Sequence, residues 1–358
     1  MVEHVVVIGA GLYGAAVAAG LARRGARVTV VEGGAPGGGT SGATFSWINA
    51  GGRKPRAYQE LAVAGMDAHR RLAATAPYCD WYHETGNLQW ATGDAERESL
   101  HRKVADSLAC GYPVRWLDKA AALRLEPDID PDRLPAHEIA YFPREGWIEP
   151  TRLIGYLLSA AAGRSCGLIR NDGVTGIEVT GGMVSAVRLA SGRRLPADAI
   201  VNCAGPQAAH VAALAGLTLP MRNTRGVLIY TSPAPVWVTH VVHAPQVHLR
   251  PDGGGRLLLH TPRLDTAEQP AVDAVLADAR TLYPGLADAK VESVRVSERP
   301  IPADGLPVLG RAPQLPNFHF AVSHSAATLS LHTGDLVAAE LLGHDHTKAL
   351  APYRPDRF

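Results

Sequence analysis

The 358-residue chain has the composition of a globular protein and is long enough for two domains. Its 35 Lys and Arg residues nearly balance its 34 Asp and Glu residues, which excludes a strongly basic surface that binds nucleic acid. Apolar runs are too short to cross a membrane and the first residues lack a signal-peptide pattern, so we expect a cytoplasmic protein with a small-molecule partner.

The N-terminal segment has the pattern of a strand, a helix and a second strand. The run His4–Ile8 is mostly valine and isoleucine without alternation, which is typical of a strand buried on both faces of a parallel sheet. A glycine-rich turn at 9–14 precedes an Ala-rich helix over 15–24, which Gly25 ends, and a strand over 27–32. These elements predict a right-handed βαβ unit with the first strand at the centre of its sheet.

The rest of the chain contains one long loop, several helices and closely spaced strands. Residues 33–52 are too rich in Gly, Ser and Thr for packed regular structure, and a loop of this length is often functional. Apolar spacing and turn residues predict helices over 58–74, 95–110, 273–282 and 329–342. They predict strands over 174–179, 184–189, 195–201, 227–231, 236–243, 247–250, 256–260 and 318–323. The first three strands form a predicted β-meander, and the next four a second, mostly antiparallel sheet.

The cysteines carry no pattern of a metal site or a disulfide framework. They lack CxxC spacing and a downstream series of histidines. We therefore predict no metal site and four buried thiols, which are Cys79, Cys110, Cys166 and Cys203.

The glycine-rich turn matches a dinucleotide-binding fingerprint. Gly9 allows a tight turn, Gly11 lets the backbone approach a pyrophosphate, and Gly14 permits close packing of the helix. The helix N-terminus offers free amides and a positive dipole end to phosphate groups. Glu32 ends the second strand, where its carboxylate would accept hydrogen bonds from the adenosine ribose. The predicted binding residues of this unit are Gly9, Gly11, Leu12, Tyr13, Gly14 and Glu32.

The fingerprint alone does not separate FAD from NAD. An acidic Glu32 argues against the 2′-phosphate of NADP. An NAD enzyme usually continues with further βα units, whereas here the loop 33–52 follows at once and can wrap a second ring system. The sequence therefore favours FAD, and an NAD-dependent reductase remains an alternative that predicts a colourless protein.

Four segments together resemble the D-amino-acid oxidase superfamily of FAD-dependent flavoproteins, which includes glycine oxidase, sarcosine oxidase and dimethylglycine dehydrogenase. The resemblance covers nearly the whole chain, and the order and spacing of the segments match the family pattern. The segments are 9–32, 39–51, 197–206 and 299–310, the last continuing to 324–329.

The resemblance implies an α/β fold with a Rossmann-type FAD-binding domain and a second, mostly antiparallel β-sheet substrate domain. The FAD-binding domain would comprise 1–75, 143–220 and 301–358, and the substrate domain 76–142 and 221–300. Further residues are implied to lie along the FAD pyrophosphate and ribityl chain, around its ring, at its adenine and at the flavin pyrimidine edge. They are Thr40, Ser41, Thr44, Trp47, Asn49, Ala50, Val174, Ala204, Gly205, Asp304, Gly305, Ser325, Ala326, Ala327, Thr328 and Leu329.

Three residues are candidates for binding the substrate or assisting its oxidation. Arg299 resembles the family arginine that binds the substrate carboxylate, and a planar guanidinium can do so through two parallel hydrogen bonds. The residues alone also allow Arg299 to pair with the neighbouring Glu298. His260 and His324 are implied near the flavin, where either would accept or orient an amine proton, although most histidines in the chain are expected to be ordinary.

Departures from the family pattern bear on the flavin linkage and on the electron acceptor. Ile48 follows Trp47 where related enzymes carry a flavin-linked histidine, and no cysteine follows Cys203, so we expect non-covalent FAD. The strand 256–260 lacks the lysine that sarcosine oxidase uses towards oxygen. The acceptor is therefore left as oxygen or another acceptor.

The resemblance implies oxidation of the C–N bond of a small amine or amino acid by hydride transfer to flavin N5, giving an imine. Two further readings stay open: a 2-hydroxy-acid dehydrogenase that oxidises a C–O bond, and a flavin-bearing subunit of a multi-subunit dehydrogenase. The sequence also leaves a homodimer open.

Overall fold

The fold is described by a computed structural model, which covers residues 3–358. These residues form twenty strands: β1 (His4–Ile8), β2 (Arg27–Val31), β3 (Trp47–Ile48), β4 (Tyr82–His83), β5 (Asn87–Gln89), β6 (Arg115–Leu117), β7 (Ile139–Phe142), β8 (Gly146–Ile148), β9 (Cys166–Ile169), β10 (Val174–Thr180), β11 (Met183–Leu189), β12 (Arg194–Pro196), β13 (Ala199–Asn202), β14 (Thr224–Thr231), β15 (Val241–His243), β16 (His248–Pro251), β17 (Leu257–His260), β18 (Val291–Arg299), β19 (Val308–Arg311) and β20 (Phe318–Val322). They also form nine α-helices: α1 (Leu12–Arg23), α2 (Arg56–Thr75), α3 (Asp94–Ala109), α4 (Lys119–Leu125), α5 (Pro150–Ala162), α6 (Ala208–Ala213), α7 (Gln269–Leu282), α8 (Ala326–Leu341) and α9 (Thr347–Leu350). Within 3–358, no helix is long and apolar enough to cross a membrane.

The first strand lies inside a six-stranded sheet with the order β19-β20-β13-β1-β2-β9. It runs parallel to β2 and β13, and β13 runs parallel to β20, while β19 is antiparallel at one edge. Val5 and Val7 belong to the core formed with α1, α5 and α8, whereas Val6 and Ile8 belong to the core formed with the meander β10-β11-β12. Both faces of β1 are therefore buried, which confirms the predicted central strand and its βαβ unit.

A second sheet has eight strands in the order β18-β14-β17-β16-β15-β5-β7-β6. Neighbouring strands are antiparallel except for the pair β15 and β5. Val272, Leu276 and Ala279 on one face of α7 share a core with Ile229 and Leu259 of this sheet. The mostly antiparallel second sheet is confirmed, and the division into the predicted domain segments stays a prediction.

The strand predicted over 195–201 is two strands that belong to different sheets. β12 completes the meander, and β13 enters the parallel sheet beside β1. Between them, the Asp198 carboxylate accepts the backbone N–H groups of Glu3 at 2.9 Å and of His4 at 2.8 Å. These hydrogen bonds fix the chain where it passes from one sheet to the other.

The strand predicted over 236–243 is also too long, because only β15 at its end is paired. Glu126 Oε1 accepts the N–H groups of Thr239 at 2.9 Å and of His240 at 2.7 Å. A side chain thus satisfies backbone donors that a sheet partner would otherwise bind, and the segment before β15 is a loop.

The prediction of four buried thiols is wrong for three of them. Cys203 is buried, whereas Cys79, Cys110 and Cys166 are partly exposed. Cys110 caps the C-terminus of α3, and Cys166 lies in the edge strand β9, so both lie at the margin of the packed structure rather than inside it.

Helices α2 and α8 approach so closely that a side chain is excluded between them. A Cβ atom on Gly65, in the middle of α2, would overlap the carbonyl oxygen of Thr328 in the first turn of α8. Thr328 Oγ1 in turn lies 3.3 Å from the backbone N–H of Asn49, which donates to it. The contact at Gly65 therefore sets the position of the N-terminus of α8.

Gly65→Ala is expected to lower the free energy of unfolding by about 1–3 kcal/mol, because the added methyl group must displace the backbone of α8. The matched control is Gly155→Ala in α5, where an added Cβ meets nothing within 4 Å. This substitution should raise the free energy of unfolding by about 0.5–1 kcal/mol, because alanine favours the helix more than glycine does. Urea unfolding followed by circular dichroism measures both changes. A Gly65→Ala protein as stable as the wild type would rule out this helix contact.

Candidate active site

A cleft of about 540 Å³ lies at the carboxyl ends of the parallel strands. Ile8 ends β1 and Gly9 follows it, Glu32 follows β2, and Ala204 comes after β13, and all of them line the cleft. In open α/β sheets, ligands bind in the crevice at this end of the strands. The topology therefore places the fingerprint residues on the wall of one elongated cavity.

The turn at the start of α1 has no room for side chains. Gly9 has φ +101°, and a Cβ on it would lie 2.6 Å from the carbonyl oxygen of Cys203. A Cβ on Gly11 would lie 2.9 Å from Ser41 Oγ, and one on Gly14 would overlap the carbonyl oxygen of Gly9. Bare backbone at a helix N-terminus fits a diphosphate, so the residues present suit the pyrophosphate of a dinucleotide.

Glu32 is fixed at the mouth of this cleft by two backbone amides. Its Oε2 accepts the N–H of Ala10 at 2.8 Å, and its Oε1 accepts the N–H of Gly34 at 2.9 Å. Each carboxylate oxygen keeps a further lone pair for a ligand hydroxyl. Val174 also lines this cleft.

A second cavity of about 520 Å³ continues from the cleft. It is enclosed by β3, the N-terminus of α8 and strands β14, β16, β17 and β18 of the second sheet. Six residues line both spaces and mark their junction: Thr40, Ala43, Thr44, Ser297, His324 and Ala327. The cleft and the second cavity thus form one passage from the fingerprint to the second sheet.

Arg299 ends β18 and points its guanidinium into the second cavity, next to Gly226. Within residues 3–358 it forms no ion pair with Glu298 or any other carboxylate. Burial lowers the pKa of the guanidinium, which nevertheless stays charged. A half-buried cation without a protein anion is suited to bind an anionic ligand group.

Four histidines line the second cavity and are held neutral. The ring centroids of His243 and His248 are 4.3 Å apart, and those of His248 and His260 are 5.9 Å apart. Burial and, to a smaller extent, the charge of Arg299 together lower the pKa of His260 and of His324 to about 4. Among the described residues, no group of three or more His, Cys, Asp or Glu is arranged to hold a metal ion. These imidazoles are therefore hydrogen-bonding groups at neutral pH.

Two cations of this cavity were not predicted from the sequence. Arg53 donates to the carbonyl oxygen of Asn49 at 3.2 Å and to Ser325 Oγ at 2.7 Å. Lys103, from α3, donates to Gln89 Oε1 at 2.8 Å. A signal for Lys103 exists in the sequence, because it shares the helix face that carries the buried residues Leu100, Val104 and Ser107.

The predicted site residues divide into those that line the two spaces and those that do not. The lining residues are Gly9, Gly11, Leu12, Tyr13, Glu32, Thr40, Ser41, Thr44, Trp47, Asn49, Val174, Ala204, Gly205, His260, Arg299, His324, Ser325, Ala326, Ala327 and Thr328. The residues outside both linings are Gly14, Ala50, Asp304, Gly305 and Leu329.

The residues outside the linings have structural positions instead. Asp304 accepts hydrogen bonds from Arg357 Nε at 2.7 Å and Nη2 at 3.0 Å, and its place at the flavin edge stays a prediction. Gly305 follows it in the same turn with φ +82°. Ala50 and Leu329 are fully buried in the core shared with α1.

Comparisons with known proteins agree with this geometry. The family model described as FAD-dependent oxidoreductase (DAO) matches residues 4–340. Glycine oxidase of Geobacillus kaustophilus is 29% identical over 98% of this chain and 95% of its own length, and its crystal structure superposes with a TM-score of 0.89, 28% identity and 99% coverage of both chains. One of the subunits of opine oxidase from Agrobacterium tumefaciens is 24% identical over 98% of this chain and 96% of its own length. The chain belongs to the DAO family of FAD-dependent oxidoreductases.

Proposed function

We propose that this protein oxidises the C–N bond of a small amine or amino acid and releases an imine. The observation that carries the proposal is Arg299, a cation without an ion-pair partner among the described residues, on the wall of a cavity that joins the dinucleotide cleft. The similarity to glycine oxidase over nearly the full length supports an amino acid as substrate. Imine hydrolysis in water would then give a carbonyl compound and an amine.

The cleft residues would hold FAD without a covalent bond. The amides at the start of α1 would bind its pyrophosphate, and Glu32 its ribose hydroxyls. When bound, FAD supplies the acceptor for the two electrons and the hydride that leave the substrate carbon. The second cavity has no cysteine among its described lining residues, and Ile48 stands where relatives place a linking histidine.

The chain's own contribution is to orient the substrate and to exclude water. Arg299 would bind the carboxylate through two parallel hydrogen bonds, which fixes the α-carbon relative to the junction of the two spaces. His260 and His324 would accept hydrogen bonds from the amine. Because their pKa values are about 4, they are weak bases at neutral pH, and the substrate must arrive as the neutral amine.

A second candidate is a flavin-bearing component of a larger dehydrogenase. The relative from opine oxidase supports it, since that protein is named as one subunit of an enzyme and is similar over nearly its whole length. In this case the chain would be reduced by substrate but would pass its electrons to a partner protein rather than directly to oxygen.

Flavin reduction by a substrate panel tests the proposed reaction. Under anaerobic conditions, amines and amino acids are expected to bleach the flavin band, and the corresponding 2-hydroxy acids are not. If only hydroxy acids bleach the flavin band, the reaction is C–O oxidation and not C–N oxidation. Bleaching without turnover by oxygen or dyes would favour the second candidate.

Arg299→Ala is expected to weaken binding of an amino-acid substrate by about 1.5–3 kcal/mol, because a charged hydrogen-bonding pair is lost. This corresponds to a rise of about 10- to 150-fold in the substrate Kd, measured from the concentration dependence of anaerobic flavin reduction. FAD content should be unchanged. The matched control is Arg225→Ala, at an exposed position of β14. Equal substrate Kd values for Arg299→Ala and this control would show that Arg299 does not bind the substrate.

His260→Gln tests whether a histidine is the base. Its lowered pKa means that the imidazole stays neutral until the pH falls towards about 4, so the acid limb of kcat/KM above pH 5 should belong to the substrate amine. We expect the limb to stay in place and kcat/KM to fall by about 2- to 10-fold through the lost hydrogen bond. His344→Gln, at an exposed position, serves as control. Loss of the acid limb in His260→Gln would instead identify His260 as the proton acceptor.

A further inference from the structure

The second cavity is lined by more positive charge than one bound carboxylate would neutralise. Arg53, Lys103 and Arg299 line it, and its described lining residues include no Asp or Glu. The four lining histidines are neutral, so they neither add to nor offset this charge. Three partly desolvated cations in one cavity are costly unless an anion binds there.

Lys103 is not neutralised by a neighbouring carboxylate. Its ammonium group lies over the rings of Trp47, at 5.1 Å, and Phe142, at 4.6 Å, and its described hydrogen bond goes to Gln89. An ammonium group has three donors, so two remain for a ligand. Burial lowers the pKa of Lys103, and the nearby charge of Glu145 opposes this change.

The Glu145 carboxylate is engaged elsewhere. Its Oε2 accepts the indole N–H of Trp47 at 3.0 Å and the side-chain N–H of Asn87 at 3.0 Å, and its Oε1 accepts the hydroxyl of Tyr112 at 3.4 Å. No Lys103–Glu145 ion pair occurs in the part of the chain described here. Glu145 therefore stabilises the charge of Lys103 from the edge of the Trp47 ring, and Lys103 remains part of the cavity lining.

Lys103 and Arg299 lie next to different members of a series of rings that lines the cavity. The ring of Trp47, beside Lys103, is 4.1 Å from that of His243, and the rings of His248 and His260 continue the series. His260 is close enough to Arg299 for that charge to lower its pKa. A ligand with two anionic groups therefore meets two separate cations in this cavity, Lys103 and Arg299.

We propose that the substrate is an amino acid that carries a second carboxylate, with Arg299 binding the carboxylate next to the oxidised carbon and Lys103 binding the other. The proposal rests on C–N oxidation as the reaction of this site. Arg53 is a poorer second anchor, because its Nε and Nη1 donate to Asn49, Tyr58 and Ser325. The second carboxylate lies either on the amino-acid side chain or on a substituent of the amine nitrogen, and the experiment below includes a substrate of each kind.

Matched substrate pairs test this proposal in the FAD-loaded full-length protein. The pairs are N-methylglycine with N-(carboxymethyl)glycine, and norvaline with glutamate, each chiral amino acid in both enantiomers. Rates of anaerobic flavin reduction give kcat/KM for every compound. We expect the wild type to prefer at least one diacid over its monoacid partner by about tenfold or more, the effect of one charged hydrogen bond.

Lys103→Met should reduce this preference about tenfold, whereas Lys103→Arg should retain most of it because the charge is kept. Lys348→Met, on an exposed lysine of α9, is the matched control and should keep the wild-type ratio. FAD content measured on each variant shows whether the site is intact.

The outcomes distinguish failure of the diacid assignment from failure of the proposed reaction. If monoacids reduce the flavin as well as their diacid partners do, the diacid assignment is overturned while C–N oxidation stands. The diacid assignment is also overturned if Lys103→Met lowers kcat/KM equally for both members of a substrate pair. If no amine reduces the flavin but hydroxy acids do, C–N oxidation is wrong and the diacid assignment falls with it.

Discussion

The close contact of three backbone segments at the start of α1 determines where ligands can bind. Gly14 packs on the carbonyl oxygen of Gly9, and Gly9 packs on the carbonyl oxygen of Cys203, so β1, α1 and the turn after β13 meet without side chains between them. This contact turns the N-terminal amides of α1 towards the cleft. A side chain at Gly9 or Gly14 would push the helix away from the sheet, and the diphosphate site would lose its donors.

A second contact connects this cleft to the cavity under the antiparallel sheet. Gly65 lets α2 approach α8, and the first turn of α8 contributes Ser325, Ala327 and Thr328 to the cavity lining. The loop after β2 crosses the same place, because Thr40 Oγ1 donates to the carbonyl oxygen of Glu298 at 2.6 Å. The junction of the two spaces is therefore built from segments that lie far apart in the sequence.

The sequence could predict the features that neighbouring residues determine, but not those that depend on contacts between distant segments. The glycine turn and β1 were predicted because their geometry is encoded by neighbouring residues, and the family resemblance added Arg299 at the end of β18. Lys103 was missed because its helix carries many other charged residues and because its position over the Trp47 ring depends on the packing of α3 against a distant strand. The pairing of Asp304 with Arg357 was missed for the same reason, because the two residues lie 53 positions apart in the sequence.

The electrostatics of the second cavity follow from burial. Each histidine on its wall is largely removed from water and lies near the positive charge of Arg299 or Lys103, and both effects oppose protonation. The positive charge of the cavity is therefore set by guanidinium and ammonium groups alone across the neutral pH range. Because these charged groups lie beside different aromatic and imidazole rings of the wall, we expect the cavity to distinguish ligands by the number of their anionic groups.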